Sequence, residues 1–206
     1  MNNFNKCINL NDKVSDCELD IIKTYFKGKD ILDIGCGIGR VTSEINKLGY
    51  NVIGIDNAPK LIEKAKRLHK HIKLKVMDAT ELDFKNNSFD IVYLGYNTID
   101  YTDRLKVLKE VYRVLKKGGL IIYSSHKKFY INHKFFSNKF PFIDVHYILY
   151  ILSGFLIKGD FNYTLHPFGL IKGYCRNDSS SELINEGYKN VIRMPKTYFC
   201  YYIGQK

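Results

Sequence analysis

The stretch Ile31-Leu32-Asp33-Ile34-Gly35-Cys36-Gly37-Ile38-Gly39-Arg40 decides the fold of this chain. An apolar, β-branched run enters a turn with glycine at every second position, and a helical pattern follows. Glycine in such a turn permits positive φ and lets a ligand lie directly against the backbone. The pattern is G-x-G-x-G and not the G-x-G-x-x-G of dinucleotide loops. Asp33, which precedes the turn, has little use beside a pyrophosphate but would welcome an ammonium group, directly or through water. Arg40 either steadies a matching carboxylate or is an exposed arginine at a helix start.

Outward from this turn, short β-branched runs alternate with helical patterns, the rhythm of parallel strands joined by crossover helices. Strands are predicted at Asp30–Gly35, Asn51–Asp56, Ile72–Met77, Asp90–Gly95 and Leu120–Ser125. Each is an almost unbroken apolar run, as expected where helices cover both faces of a sheet. Helices are predicted at Gly39–Leu48, Ala58–His69 and Tyr101–Lys116, the last halted by Gly118-Gly119. Upstream, Ser15–Phe26 reads as an amphipathic helix with Leu19, Ile22 and Phe26 on one side. Downstream, Asp178 and the serines after it cap a short helix ending near Gly187. Lys189–Met194 and Thr197–Ile203 then form a hairpin through a Pro195-Lys196 turn, which makes one edge strand antiparallel.

His126–Asn177 breaks the rhythm. It holds thirteen of the chain's Phe and Tyr residues and four of its six histidines. We read it as an insertion between the fifth strand and the last helix, folded over the carboxyl edge of the sheet as an acceptor lid. The 206 residues then form one domain, with residues 1–29 as an N-terminal helical segment.

Composition narrows the function. No stretch reads as a signal peptide, and none reaches the roughly 20 apolar residues that cross a bilayer. The five cysteines (Cys7, Cys17, Cys36, Cys175, Cys200) contain no C-x-x-C pair, which argues against a metal site or a disulfide framework and for a reducing cytoplasm. The formal charge of +11 comes from lysines spread along the whole chain, so by itself it marks no nucleic-acid patch.

Two further carboxylates follow the next two strands. Asp56 ends the second strand, where a carboxylate can accept both hydroxyls of a ribose; its alternative role is to cap the helix starting near Pro59, which Asn57 could do equally. Asp78, in Met77-Asp78-Ala79-Thr80, can accept from an adenine amino group while the Ala79 N–H donates to the ring. Asp in a turn after a strand is commonplace. Three carboxylates closing three successive strands beside a glycine loop are much rarer.

In order and spacing, Asp30–Ser125 resembles the class I S-adenosylmethionine-dependent methyltransferase family. The resemblance is carried by the Asp33–Gly39 loop, Asp56, Asp78-Ala79, Ser88-Phe89-Asp90-Ile91-Val92 and Leu115-Lys116-Lys117-Gly118-Gly119-Leu120. The Glu182–Gly187 helix and terminal hairpin match as well. It implies a doubly wound α/β fold with a mostly parallel seven-stranded sheet of order 3-2-1-4-5-7-6 and an antiparallel last strand. S-adenosylmethionine would lie across the strand ends, held by Asp33, Gly35, Cys36, Gly37, Gly39, Arg40, Asp56, Asn57, Asp78, Ala79, Gly95 and Tyr96. The His126–Asn177 insertion departs from the family pattern.

Methyl transfer from a sulfonium is an in-line displacement, for which the protein supplies mainly alignment and charge placement. A hydroxyl acceptor gains from a base near neutral pKa. His126, at the end of the fifth strand, is the candidate base, with a hydrogen-bonded loop histidine as its competing reading; His166, His146 and His133 are lesser candidates. Asn97, Asp100 and Tyr101 stand where an acceptor arrives, together with His166, although Asp100 could instead cap the following helix. Gly95-Tyr96-Asn97-Thr98 is unlike the Asn-Pro-Pro-Tyr motif of base-amine methylation. The aromatic insertion suits an acceptor of apolar or ring character, such as a small metabolite or a lipid- or glycan-linked precursor, or else forms its own core. Two other readings use the same features: a membrane-surface lipid methyltransferase with Phe135–Phe142 and Tyr147–Ile157 on anionic lipid, and an RNA-modifying or RNA-binding protein.

Overall fold

A computed structural model describes residues 14–126, 161–166, 169–175, 179–195 and 199–206. The described residues hold nine strands: β1 Asp30–Ile34, β2 Asn51–Asp56, β3 Lys73–Val76, β4 Phe89–Leu94, β5 Leu115–His126, β6 Phe161–His166, β7 Gly169–Cys175, β8 Lys189–Pro195 and β9 Phe199–Gln205. Their helices are α1 Asp16–Tyr25, α2 Arg40–Lys47, α3 Pro59–Leu68, α4 Arg104–Val114 and α5 Ser180–Asn185, with a 3₁₀ turn at Thr98–Tyr101 before α4.

Seven strands form one sheet in the order β3-β2-β1-β4-β5-β9-β8. With β8 and β9 counted as sixth and seventh, this is the expected 3-2-1-4-5-7-6 order. β1 to β5 run parallel; β9 is antiparallel to both β5 and β8. The reversed strand is therefore not at the edge, as the hairpin alone suggested. β9 pairs along most of β5, from Leu120↔Gln205 to His126↔Phe199, and pushes β8 to the margin. Its buried Cys200–Ile203 run takes the inner place, whereas β8 is largely exposed. The β6–β7 hairpin is a separate two-stranded unit within residues 126–177, the stretch read above as an insertion, and β7 lies against the Thr98–Tyr101 turn and β5. His133 and His146 lie outside the described residues.

Alternation along the strands divides the core. Leu32, Val92, Ile121 and Tyr123 face Val107, Leu108 and Val111 of α4 and Leu183 of α5. Ile31, Ile91 and Tyr93 face Ile21, Ile22 and Phe26 from the α1 end and Val41 and Ile45 of α2. Successive strand residues point to opposite faces, so one apolar run serves both layers.

The details of two helices differ from expectation. α1 has Ser15 as N-cap in a full capping box with Glu18. Its buried face is Glu18, Ile21 and Ile22, with Leu19 only partly covered. α4 starts at Arg104, not Tyr101, because Asp103 is the N-cap and Thr98–Tyr101 winds as a tighter 3₁₀ turn. It ends at Val114 because Leu115, fully buried and extended, already pairs with Phe89. Cys36 and Cys200 are free thiols, but Cys17 is disulfide-bonded. The cysteine spacing gave no sign of this bond, since pairing depends on Cα separation in the fold and not on spacing in the chain.

Candidate active site

At the carboxyl ends of β1 to β4, Ile34, Gly35, Ile55, Asp56, Asn57, Met77, Asp78, Ala79, Tyr96, Thr98, Tyr101 and Thr102 line a cavity of about 190 Å³. The topology makes this place: β1 and β4 are adjacent, yet their connections leave in opposite directions, which opens a crevice at the strand ends.

The glycine loop is pinned to β2. The N–H groups of Gly35 and Cys36 both donate to the Ile55 carbonyl, at 2.8 and 2.9 Å. Gly35 has φ of +72°, and a Cβ there would come within 2.3 Å of Thr98 Cγ2. Its glycine is thus required by the 98–101 turn pressing on it. Gly37, at φ +55°, is different: a Cβ there would meet nothing within 4 Å. Its open side faces space that a ligand can take without steric contest. Gly39 caps α2 from the left-handed region, and Cys36 is nearly buried, which pushes its thiol pKa well up.

Asp56 does not cap α3, whose N-cap is Ala58 with no side-chain bond. Oδ2 accepts from the Gly37 N–H and Oδ1 from the Ala58 N–H, each at 2.9 Å, so it braces the loop and the start of α3 while still lining the cavity. Two lone-pair positions per oxygen leave it able to accept further donors. Asp78 Oδ1 accepts from the Thr80 N–H (2.7 Å) and hydroxyl (2.8 Å), and these bonds hold its pKa below the usual carboxylate value.

Asp33 does not line the cavity. It is 2% exposed and accepts a 2.6 Å hydrogen bond from Thr42 Oγ1 on α2. Burial raises its pKa to about 7, against the opposing effect of that hydrogen bond. Arg40 is not an exposed helix-start arginine. Glu18 of α1 accepts from both of its terminal nitrogens (2.9 and 3.0 Å), and the guanidinium stacks 4.6 Å from the Tyr96 ring centroid.

After β4 the chain turns through two left-handed non-glycine residues, Tyr96 (φ 49°) and Asn97 (φ 58°). Such conformations are costly and persist where surrounding structure enforces them. Here the Asn97 N–H donates to Ser124 Oγ, and Thr98 Oγ1 donates to the Gly95 carbonyl. Gly95 itself abuts the Tyr93 ring, which a Cβ would approach to 2.8 Å. Tyr96 and Tyr101 are exposed and line the cavity, but Asp100 points away. Asp100 is buried against Arg104 Nη1 and the Ser125 hydroxyl, both at 2.6 Å, and does not cap α4. His126 ends β5 opposite Phe199, and His166 ends β6 opposite Gly169.

Sequence reasoning missed Thr98 and Thr102 on the cavity wall, Glu18 beneath it, and the Arg104–Glu182 pair behind it. Only Glu18 left a trace, the Ser15-x-x-Glu18 capping pattern, and that pattern says nothing of burial.

The residues fit S-adenosylmethionine. Ile34, Ile55 and Met77 offer apolar walls to a base, Asp56 and Asp78 offer acceptors, and the open side of Gly37 leaves room for the remainder. Residues 32–123 match a family model described as "Methyltransferase domain". Demethylmenaquinone methyltransferase of Lactobacillus johnsonii is 38% identical over 114 residues, covering 48% of this chain and 47% of the relative. The Lactococcus lactis enzyme of the same name is 35% identical over 130 residues, covering 56% and 52%. The chain thus spans about half the length of the curated relatives it matches. Among solved structures, a Methanosarcina mazei SAM-dependent methyltransferase superposes with a TM-score of 0.67 at 22% identity, covering 90% of this chain and 96% of that one. Haemonchus contortus phosphoethanolamine N-methyltransferase 2 in complex with S-adenosyl-L-methionine gives 0.66 at 17% identity, covering 92% and 52%. These similarities and the strand order agree with the cavity: residues 32–123 match a methyltransferase domain, and the sheet has the fold of the solved methyltransferases that superpose on it.

Proposed function

We propose that this protein is a cytoplasmic enzyme that transfers the methyl group of S-adenosylmethionine to oxygen or nitrogen of a small-molecule acceptor. The observation that carries the reading is the cavity shared by Gly35, Asp56, Asn57, Asp78 and Ala79 at three successive strand ends, beside the open face of Gly37. At about 190 Å³ the cavity is smaller than a typical ligand pocket of roughly 300–1,000 Å³. It suits the nucleoside portion, with the amino-acid portion extending past Gly37.

The bound cofactor supplies an activated methyl on a sulfonium. The chain's own residues bind and orient. Asp56 would accept the ribose hydroxyls, and Asp78 with the Ala79 N–H would hold the adenine edge. Tyr96, Asn97 and Tyr101 would receive the acceptor, with Asp100 fixing their turn from behind. His126, closing β5, would take the acceptor's proton, and β7 beside the same turn supports an acceptor role for the insertion and for His166. The curated relatives are named for demethylmenaquinone, so a quinone-like ring is the first small-molecule class to assay. No helix among the described residues is long and apolar enough to cross a membrane.

Asp56→Ala is expected to weaken S-adenosylmethionine binding by one to two orders of magnitude, about 1.4–3 kcal/mol for a lost charged bidentate contact. Unchanged affinity in calorimetry would show that the ribose lies elsewhere. For His126→Ala, turnover on the identified acceptor should fall at least about a hundredfold, the scale of general-base catalysis; an unimpaired rate removes it as the base.

A further inference from the structure

The chain carries a formal charge of +11, yet among the described residues no lysine or arginine lines the cavity, whose charged residues are Asp56 and Asp78. A cation does stand at its border: Arg40, stacked on cavity-lining Tyr96. Glu18 engages both terminal nitrogens of that guanidinium, with side-chain exposures of 15% for Arg40 and 3% for Glu18. Glu18 is held in place. Its Oε2 also accepts from the backbone N–H and the hydroxyl of Ser15, each at 2.9 Å. α1 is anchored by Ile21 and Ile22, which pack with Phe26 against Ile31 and Tyr93. A fixed bidentate pair presents little net charge to its surroundings, so Arg40 does little to offset the acidic lining of the cavity.

We propose that Glu18 is a specificity-determining residue: by neutralising Arg40 it keeps the cavity negative and favours the cationic sulfonium cofactor over its neutral thioether product. This rests on the methyltransferase reading above. Glu18 lies outside the matched residues 32–123, so the device belongs to this chain's N-terminal helix and not to the domain core. S-adenosylmethionine and S-adenosylhomocysteine share base, ribose and amino-acid groups and differ by one methyl and one positive charge. A charge placed at this border therefore acts on the difference between them. The consequence for turnover is weaker product inhibition.

The test is calorimetric binding of both ligands to the intact chain and to Glu18→Gln, Arg40→Gln and the double variant. Glu18→Gln keeps the size of the side chain and bares the Arg40 charge. The ratio Kd(S-adenosylmethionine)/Kd(S-adenosylhomocysteine) should rise about five- to tenfold, the scale of one screened charge several ångströms away. Arg40→Gln, which bares Glu18, should shift the ratio the other way, and the double variant should return it to within about twofold of the original. A purely structural contribution, or loss of an Arg40 contact to the ligand carboxylate, moves both constants together and leaves the ratio alone; an unmoved ratio in Glu18→Gln overturns the proposal. Should Glu18→Gln not fold, the opposite shift in Arg40→Gln decides it. If the wild-type chain binds neither ligand, the methyltransferase reading itself fails, and the proposal with it.

Discussion

Arg104→Met is expected to lower the stability of the protein by about 3–5 kcal/mol, the usual cost of stranding buried partners of an ion pair. Arg104 is 2% exposed on the first turn of α4. Its guanidinium bonds Asp100 Oδ1 at 2.6 Å, Glu182 Oε2 at 2.7 Å and Ser179 Oγ at 2.9 Å, so it holds the 3₁₀ turn, α4 and α5 together. Burial works to lower its pKa, but the charges of Asp100 and Glu182 outweigh this and raise it. Without the guanidinium, two carboxylates remain in a space built to exclude water. Against a net stability of about 5–15 kcal/mol for a domain, that is a large fraction. Chemical denaturation measures it, and a second variant identifies the cause. If stranded charge is responsible, Arg104→Met combined with Asp100→Asn and Glu182→Gln should recover most of the loss. A single variant that loses under about 1 kcal/mol would show that these charges reach water in solution.

Asp33→Asn should change how stability depends on pH, in a window that no lowered carboxylate shares. The folded pKa of Asp33 is raised to about 7 by burial, from 3.8. The native state thus holds this proton more tightly than the unfolded chain. The stability tied to it is complete below the unfolded value and is lost as pH rises from about 4 through about 7. The whole effect is of the order of a few kcal/mol. Asp30, Asp78, Asp90 and Glu110 have lowered values, so their contributions are lost only as pH falls toward the acid range. Between about pH 5 and 8 the stability of Asp33→Asn should therefore decline less steeply than that of the parent. At the alkaline end of that window the variant should be at least as stable, because the introduced carboxamide oxygen can still accept from the Thr42 hydroxyl. A parent and variant whose midpoints run parallel across the window would show that Asp33 titrates at an ordinary value.

Much of the fold was legible because its signals are local. Asp33–Arg40 reads as strand, glycine turn and helix within ten residues, and the alternation of later runs points to parallel strands joined by crossover helices without reference to distant contacts. Asp56 and Asp78 stood out because the ends of parallel strands must converge on one edge. The Asp100 and Arg40 readings had different outcomes from the same cause. Each has its polar partner in another element: Asp100 in α4 and β5, Arg40 in α1. No spacing rule connects Arg104 with Glu182, 78 residues apart, although both are buried and bonded. The hairpin by itself put the reversed strand at the sheet edge, because a hairpin does not say which of its strands pairs inward; the family resemblance already placed it one strand in.

Taken alone, the order of residues determined the alternating α/β architecture and the place of the glycine loop, since backbone periodicity and glycine conformation act over a few residues; the strand order was legible only through the family resemblance. Only the tertiary structure decided which charges are solvated and which are paired. It buried Asp33, turned Asp100 away from the cavity and delivered Glu18 to Arg40. The physical reason is that the energy of an ionised group depends on the dielectric and partners around it, and those come from elements far away in the chain.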